Sequence, residues 1–428
     1  MHTTAPAVRD IETATLSNGI PIITETMPAV RSVAIGLWVG TGSRSESRQE
    51  NGISHFIEHM LFKGSERRSA EDIARECDSI GGHLDAFTGK EMVGFNMKVL
   101  DQHVENAFDL LSDLVLRPRF SPDDIEKEKR VVLEELKMDK DSPESQVHEM
   151  FVGSFWKHHS LGRPILGTRR TINRFEAPSL RDYHGRYYHT GNLTITAAGN
   201  LRHEQMLRLA ERFFGGAPRG RAKTDSVPPG VMTPFELKTR RSLHQVHFCL
   251  GTPMYSTPHP LRYACYLLNV VLGGSMSSRL FQNIRERQGL VYNIGSELNL
   301  YRDSGCLGVY GGTSQENARR VVDSILEEMR KLKTEPLPDD ELRRAKEHMK
   351  GSLMLSLEST GARMSNLARQ WLYFGRYFTL EELVESIDAV TAGQVLEVAG
   401  EFFAPGRIGC AMLGNLNGLS MQAADLAC

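Results

Sequence analysis

Two stretches, AFTGKEMVGFNMKVLDQHVENAFDLLSDLVLRPRFSPDDIEKEKRVVLEEL (86–136) and YRDSGCLGVYGGTSQENARRVVDSILEEMRKLKTEPLPDDELRRAKEHMKGSL (301–353), carry the same succession of patterns. Each reads as a strand, a short loop, an amphipathic helix, a Pro-Asp-Asp turn and a second helix. The first helix places Val104, Ala107, Phe108, Leu111 and Leu114 at three- and four-residue spacing; its counterpart places Ala318, Val321, Val322, Ile325 and Met329 likewise. Pro122-Asp123-Asp124 and Pro338-Asp339-Asp340 open the following helices, where a missing N–H and acidic charge are both favourable. These parallels predict an internal duplication of one α+β unit.

Outward from these stretches, SVAIGLWVG (32–40) and NLTITAAGN (192–200) read as strands bounded by turn residues. Strands and helices mix without strict βαβ alternation, which predicts an α+β fold. Two homologous domains are expected, each a mostly antiparallel sheet covered by helices. The Pro/Gly/basic stretch GGAPRGRAKTDSVPPGVMTP (215–234) lacks apolar periodicity and reads as a linker. It divides a first domain (1–214) from a second (235–428).

Composition narrows the functional classes. A formal net charge of −2 over 428 residues gives no polycationic surface, so nucleic acid is not an expected partner. No run of 18 or more apolar residues occurs, so no membrane span is expected. The six cysteines are scattered without a C-x-x-C pair, and the first residues lack a basic segment followed by an apolar run. Both features predict a reducing, cytoplasmic setting.

Residues 51–64, NGISHFIEHMLFKG, read as a helix starting near Asn51 and ending before Gly64. On it His55 and His59 lie one turn apart on one face, with Glu58 beside them. Two neutral imidazoles can hold Zn²⁺, and a nearby carboxylate can take a proton from water on the metal. Ile53, Phe56, Ile57, Met60 and Leu61 bury this helix, and buried histidines and glutamate need partners. A catalytic zinc site wants a third protein ligand. The helix SPDDIEKEKRVVLEELKMDKD offers Glu126, Glu128, Glu134 and Glu135. Glu128 and Glu135 share a face, while Glu134 points about 100° away. Periodicity alone leaves Glu134 and Glu135 both open.

The motif H-x-x-E-H marks the inverzincins. Together with GGHLDAFTGKE, EKEKRVVLEELKM, DSP (141–143) and GGSMSSRLFQNIRERQGLVYNIGS, it makes nearly the whole chain resemble the pitrilysin, insulysin and mitochondrial processing peptidase group. The short, two-domain bacterial-type members are the most similar. The resemblance implies a zinc metallopeptidase and selects Glu135 as third ligand with His55 and His59, since 75 residues separate His59 from Glu135. It implies that Glu58 is the general base and that Glu128 supports a ligand.

From the same resemblance, Arg285 and Tyr292 in RERQGLVY correspond to the family's Arg/Tyr pair. Tyr292 would donate a hydrogen bond near the scissile carbonyl, and Arg285 would hold substrate backbone. Leu84, Asp85, Ala86, Phe87 and Thr88 would form an edge strand to which a peptide adds. The family usually has Asn where this chain has Asp85, a departure that bears on side-chain preference. Aligning the two Pro-Asp-Asp turns puts Arg344 at the place of Glu128 and Gly351 at that of Glu135, and YACYLLNVVLGG has no His. The second domain is therefore expected to lack the metal site. The implied substrates are unfolded peptides or presequences in a chamber formed by a homodimer, or by a heterodimer with an inactive homologous subunit. The alternative is a non-catalytic scaffold or processing-complex subunit that retains a metal site.

Overall fold

A computed structural model describes residues 9–222 and 227–428. In chain order the first elements are β1 (Asp10–Thr15), β2 (Pro21–Thr26), β3 (Ser32–Val39), α1 (Ile53–Leu61), α2 (Ala70–Ser79), β4 (His83–Thr88) and β5 (Val93–Leu100). There follow α3 (Val104–Leu116), α4 (Pro122–Asp141), α5 (Pro143–Phe155), α6 (Arg169–Ile172), α7 (Ala177–Tyr187), β6 (Leu193–Gly199) and α8 (His203–Phe214). The remainder comprises β7 (Phe235–Thr239), β8 (Val246–Pro253), α9 (Arg262–Leu272), β9 (Val291–Leu300), β10 (Gly305–Thr313), α10 (Ala318–Thr334), α11 (Asp339–Ser356), α12 (Thr360–Phe374), α13 (Leu380–Asp388), α14 (Ala392–Phe402) and β11 (Gly409–Gly414).

Two sheets result, ordered β1-β2-β6-β3-β5-β4 and β7-β11-β8-β10-β9. All neighbours are antiparallel except β2–β6 and β7–β11. This is the expected pair of mostly antiparallel α+β units. The duplicated stretches appear as β5-α3-α4 and β10-α10-α11, and both Pro-Asp-Asp turns start helices as read. β3 and β6 fall where the apolar runs put them, and nearly every residue of each is buried.

The compact units are not the two halves on either side of the linker, which corrects the division into 1–214 and 235–428. One unit takes the described residues of 1–136, 164–226 and 354–380; the other takes those of 137–163, 227–353 and 381–428. Helix α12, late in the chain, covers the first sheet: Met364 and Ala368 pack on Ala34, Trp38 and Ala198. Helix α5, early in the chain, covers the second: Val147, Phe151 and Phe155 pack on Cys249, Cys306, Ala411 and Leu413. An amphipathic pattern states which face is buried, not against which sheet, so this exchange could not be read locally. Close approach needs glycine in both central strands. A Cβ at Gly36 would lie 2.2 Å from Met364 Sδ, and one at Gly251 would lie 2.4 Å from Phe151 Cζ.

The linker residues on either side of 223–226 form neither helix nor strand, and β7 begins at Phe235; residues 223–226 of that reading lie outside the described ones. The six cysteines are buried and none is in a disulfide. Among the described residues no helix is long and apolar enough to cross a membrane.

Candidate active site

Helix α1 carries the motif and begins at Ile53, close to Asn51 as read. Its N-cap is Gly52, in the left-handed conformation at φ 93°, with no side-chain cap of its own. The missing cap comes from Glu46, whose buried carboxylate accepts from Gly52 N at 2.8 Å, Ser54 N at 3.0 Å and Asn51 Nδ2 at 3.1 Å. These bonds satisfy amides that a helix leaves unpaired at its first turn. The apolar face Ile53, Phe56, Ile57, Met60 and Leu61 is fully buried, so the helix is held firmly enough to aim its polar side chains.

On that helix the His55 and His59 rings stand 4.5 Å apart between centroids. Helix α4 brings Glu135 to them: Oε1 lies 3.7 Å from His55 Nε2, and Oε2 lies 3.5 Å from His59 Nε2. The three ligand atoms all fall within 4.8 Å of one another. Ligand atoms around a tetrahedral zinc at ~2.1 Å sit roughly 3.4 Å apart, close to these separations. Glu135 Oε2 is also buried with no hydrogen-bond partner, as is His55 Nδ1. Two imidazoles and a carboxylate, with an oxygen otherwise unsatisfied, fit a zinc ion. Glu134, the rival from periodicity, is absent from this group.

Glu128, two turns before Glu135 on α4, is buried and bridges His59 and Lys63. Its Oε1 accepts from His59 Nδ1 at 2.8 Å, and its Oε2 meets Lys63 Nζ at 2.8 Å. A proton on Nδ1 leaves the Nε2 lone pair facing Glu135. Burial and the neighbouring His59 push His55 down to about 4, so it is neutral at ordinary pH. Burial alone would lower His59 too, but the bond and charge of Glu128, with the charges of Glu135 and Glu58, carry it upward. Burial would raise Glu128; the bonds from His59 and Lys63 outweigh that and lower it.

The Glu58 carboxylate is held apart from this group's ligand atoms by its own partner: the Thr88 hydroxyl donates to its Oε2. Burial raises Glu58, and the charges of Glu135 and Asp85 add to the rise. Thr88 is the last residue of β4, which is an edge strand of its sheet as expected for Leu84–Thr88. Leu84 and Ala86 pack against the core, while Asp85 and Phe87 alternate to the exposed face. Arg285 and Tyr292 belong to the other unit. Arg285 lies on a π-helical segment, Phe281–Arg287, with its guanidinium 4.5 Å from the Phe281 ring centre and 5.8 Å from that of Tyr292. Tyr292 is 84% exposed.

Sequence reading missed Glu46 and Lys63, and assigned Thr88 to substrate without foreseeing its bond to Glu58. Lys63 stands one turn beyond His59 and was within reach of a helical-spacing argument. Glu46 acts across a loop, for which no spacing rule exists.

Two helix-borne histidines and a distant glutamate thus stand together, as a group that could hold a metal ion, on a duplicated α+β scaffold. Comparison with known proteins gives the family. Residues 21–169 match the family profile described as Insulinase (Peptidase family M16), and residues 174–349 match that described as Peptidase M16 inactive domain. The chain is 42% identical over 393 residues to a Bacillus subtilis protein named uncharacterized zinc protease YmxG, covering 92% of this chain and 96% of that one. It is 39% identical over 409 residues to a Mycobacterium leprae protein named uncharacterized zinc protease ML0855, covering 94% and 91%. Among solved structures, a peptidase M16 inactive domain from Pseudomonas fluorescens superposes with a TM-score of 0.89 at 19% identity, covering 95% of this chain and 98% of that one. A protease from Helicobacter pylori gives 0.86 at 19%, covering 95% and 100%. The chain belongs to peptidase family M16, and its relatives' names connect it with zinc and proteolysis.

Proposed function

We propose that this protein is a zinc metallopeptidase that hydrolyses peptide bonds in unfolded peptides or presequences. The observation that carries the reading is the convergence of His55 Nε2, His59 Nε2 and the Glu135 carboxylate, together with a second carboxyl group, Glu58, held separately by Thr88. His55, His59 and Glu135 would hold the ion. When bound, zinc supplies a concentrated positive charge that eases ionisation of water and polarises an amide carbonyl. Glu58 accepts the proton from water and returns it to the departing amine nitrogen. Thr88 fixes the direction in which the Glu58 carboxylate faces. The free edge of β4 offers backbone donors and acceptors to an extended peptide over Leu84–Thr88, with Asp85 and Phe87 meeting its side chains. Tyr292 serves as a donor to the developing oxyanion and Arg285 as a holder of substrate backbone, the roles that family resemblance gives them. Pairing, with a second copy or with an inactive homologous chain, to enclose the substrate in a cytoplasmic chamber belongs to the same proposal.

A second reading, a non-catalytic subunit that keeps a metal, draws on the match of residues 174–349 to a profile described as an inactive domain. One variant separates the two. Glu58→Gln preserves shape and cannot accept a proton. On the catalytic reading it retains one zinc per chain and loses peptide turnover by about 10²-fold or more. Turnover of wild-type size in that variant removes Glu58 as the base. Absence of any chelator-sensitive cleavage by the wild-type zinc protein favours the subunit reading.

A further inference from the structure

We infer that Glu91 is a positioning residue for Glu58, acting through the turn that ends β4; the inference rests on the catalytic reading above. Thr88, whose hydroxyl donates to Glu58, is followed at once by the hairpin turn Gly89–Met92 between β4 and β5. That turn is tied down from outside the hairpin. Ser43 N donates to Gly89 O at 3.1 Å and Arg44 N to Lys90 O at 2.9 Å. The approach is close enough that a Cβ at Gly42 would lie 2.3 Å from Gly89 O. Glu91, inside the turn, accepts from Arg44 Nη1 at 2.6 Å and from the Tyr373 hydroxyl of α12 at 2.8 Å. The Arg44 and Glu91 side chains are only 8% and 5% exposed.

Glu46, two residues beyond Arg44, caps the helix that carries Glu58. The short segment Gly42–Glu46 therefore holds both ends of the Glu58–Thr88 contact: the helix through Glu46 and the turn through Arg44 and Glu91. A buried ion pair is weak evidence for a stability role, because well-packed apolar groups often do as well. Here two donors converge on one carboxylate immediately beyond the residue that orients the base. Glutamine at 91 keeps the shape but has only one acceptor oxygen, so its NH₂ must face either Arg44 or Tyr373. The turn then shifts, Thr88 moves with it, and the Glu58 carboxylate loses its fixed direction. Displacements of about 1 Å at such sites cost up to about 10²-fold in rate.

The test is a double-mutant cycle on the full zinc-loaded chain with a fluorogenic peptide, using Glu91→Gln, Thr88→Val and both together. Glu91→Gln is expected to lower kcat about tenfold with KM within about twofold, zinc content unchanged. In the Thr88→Val background the same change should cost less than about twofold, because the two residues act in series. Glu91→Asp, which keeps both acceptors, should recover part of the loss. Hydrogen exchange should quicken in peptides covering 84–92 and stay unchanged over 53–61. Undiminished kcat in Glu91→Gln, or losses that multiply in the double variant, overturn the inference. Should Glu91→Gln fail to fold, Tyr373→Phe removes one donor and keeps the ion pair. Its kcat loss of about threefold must likewise vanish in the Thr88→Val background. A wild-type zinc protein that cleaves no peptide overturns the catalytic reading and this inference with it; an active wild type with an indifferent Glu91 overturns this inference alone.

Discussion

Replacing Glu128 with Gln isolates what one buried charge contributes to metal capture. Glu128 touches His59 Nδ1 through one oxygen and Lys63 Nζ through the other, both at 2.8 Å. An amide offers one acceptor oxygen and one NH₂. With the oxygen toward His59, the NH₂ confronts the Lys63 ammonium. Turned over, the NH₂ donates to Nδ1, and the His59 proton moves to Nε2, where a metal should bind. Either orientation has a cost. Loss of such outer partners lowers metal affinity about 10–100-fold, or about 1.4–2.7 kcal/mol. Competition with a chromophoric chelator measures it. The pH profile supplies an independent check. His59 sits above its ordinary 6.5 in the metal-free protein, so zinc must displace its proton, and affinity should rise with pH through that raised value. His55, near 4, adds no dependence in that range. The same pair affects folding with opposite limits. Stability from His59 is complete below 6.5 and fades as pH climbs through its raised value; stability from Glu128 is present above 4.5 and fades as pH falls through its lowered value. In Glu128→Gln, His59 loses its strongest upward influence, so the affinity profile should move to lower pH. A variant with the wild-type Kd and the wild-type profile would refute the reasoning.

Tyr292→Phe removes one hydroxyl from a side chain that is 84% exposed, so stability should change by less than about 0.5 kcal/mol. If that hydroxyl meets a developing oxyanion, kcat falls by about 10²–10³-fold in single-turnover kinetics with KM little altered, and an unchanged kcat removes Tyr292 from the chemistry. A fragment ending at Phe214 keeps His55, His59 and Glu135 but lacks α12, so Trp38 loses its Met364 and Ala368 cover and Glu25 loses Arg363. It should melt without cooperativity and bind zinc weakly, because burial of a side chain the size of Met364 alone is worth about 1.5–3 kcal/mol; a sharp melt with full zinc binding would contradict that.

The sequence made the local elements legible and left their long-range partners hidden. Period-two and apolar runs placed β3 and β6, and the three-four repeat placed α3 and α10, because each pattern records a face buried by its own element. His55 and His59 were legible as one face of a helix, and Glu128 and Glu135 as one face of another. The choice between Glu134 and Glu135 needed family resemblance, since periodicity does not say which face of α4 turns toward α1. In the structure Glu135 is the one that stands 3.5 and 3.7 Å from the histidine nitrogens. Glu46, Arg44 and Glu91 went unseen for another reason. They join segments whose sequence separation varies with loop length, and charged residues in loops ordinarily read as solvated.

The duplication itself hid the largest correction. An offset of 216 carries the start of α5 onto the start of α12 within one residue, yet each helix lies on the sheet built mainly by the other half of the chain. Each covers a strand whose glycine, Gly36 or Gly251, admits it closely. Neither half of the sequence therefore contains all the cover its own sheet needs. This gives the second half a physical necessity independent of metal ligands: Arg344 and Gly351 stand where the first half has Glu128 and Glu135, and among the described residues the one group that could hold a metal is His55, His59 and Glu135. Its helix α12 also delivers Arg363 to Glu25 and Tyr373 to Glu91, both in the unit that holds His55, His59 and Glu135. Helix α12, from the second half of the sequence, is thus tied to this unit through packing and hydrogen bonds, so on the catalytic reading substitutions on α12 should lower peptide turnover without touching substrate or metal.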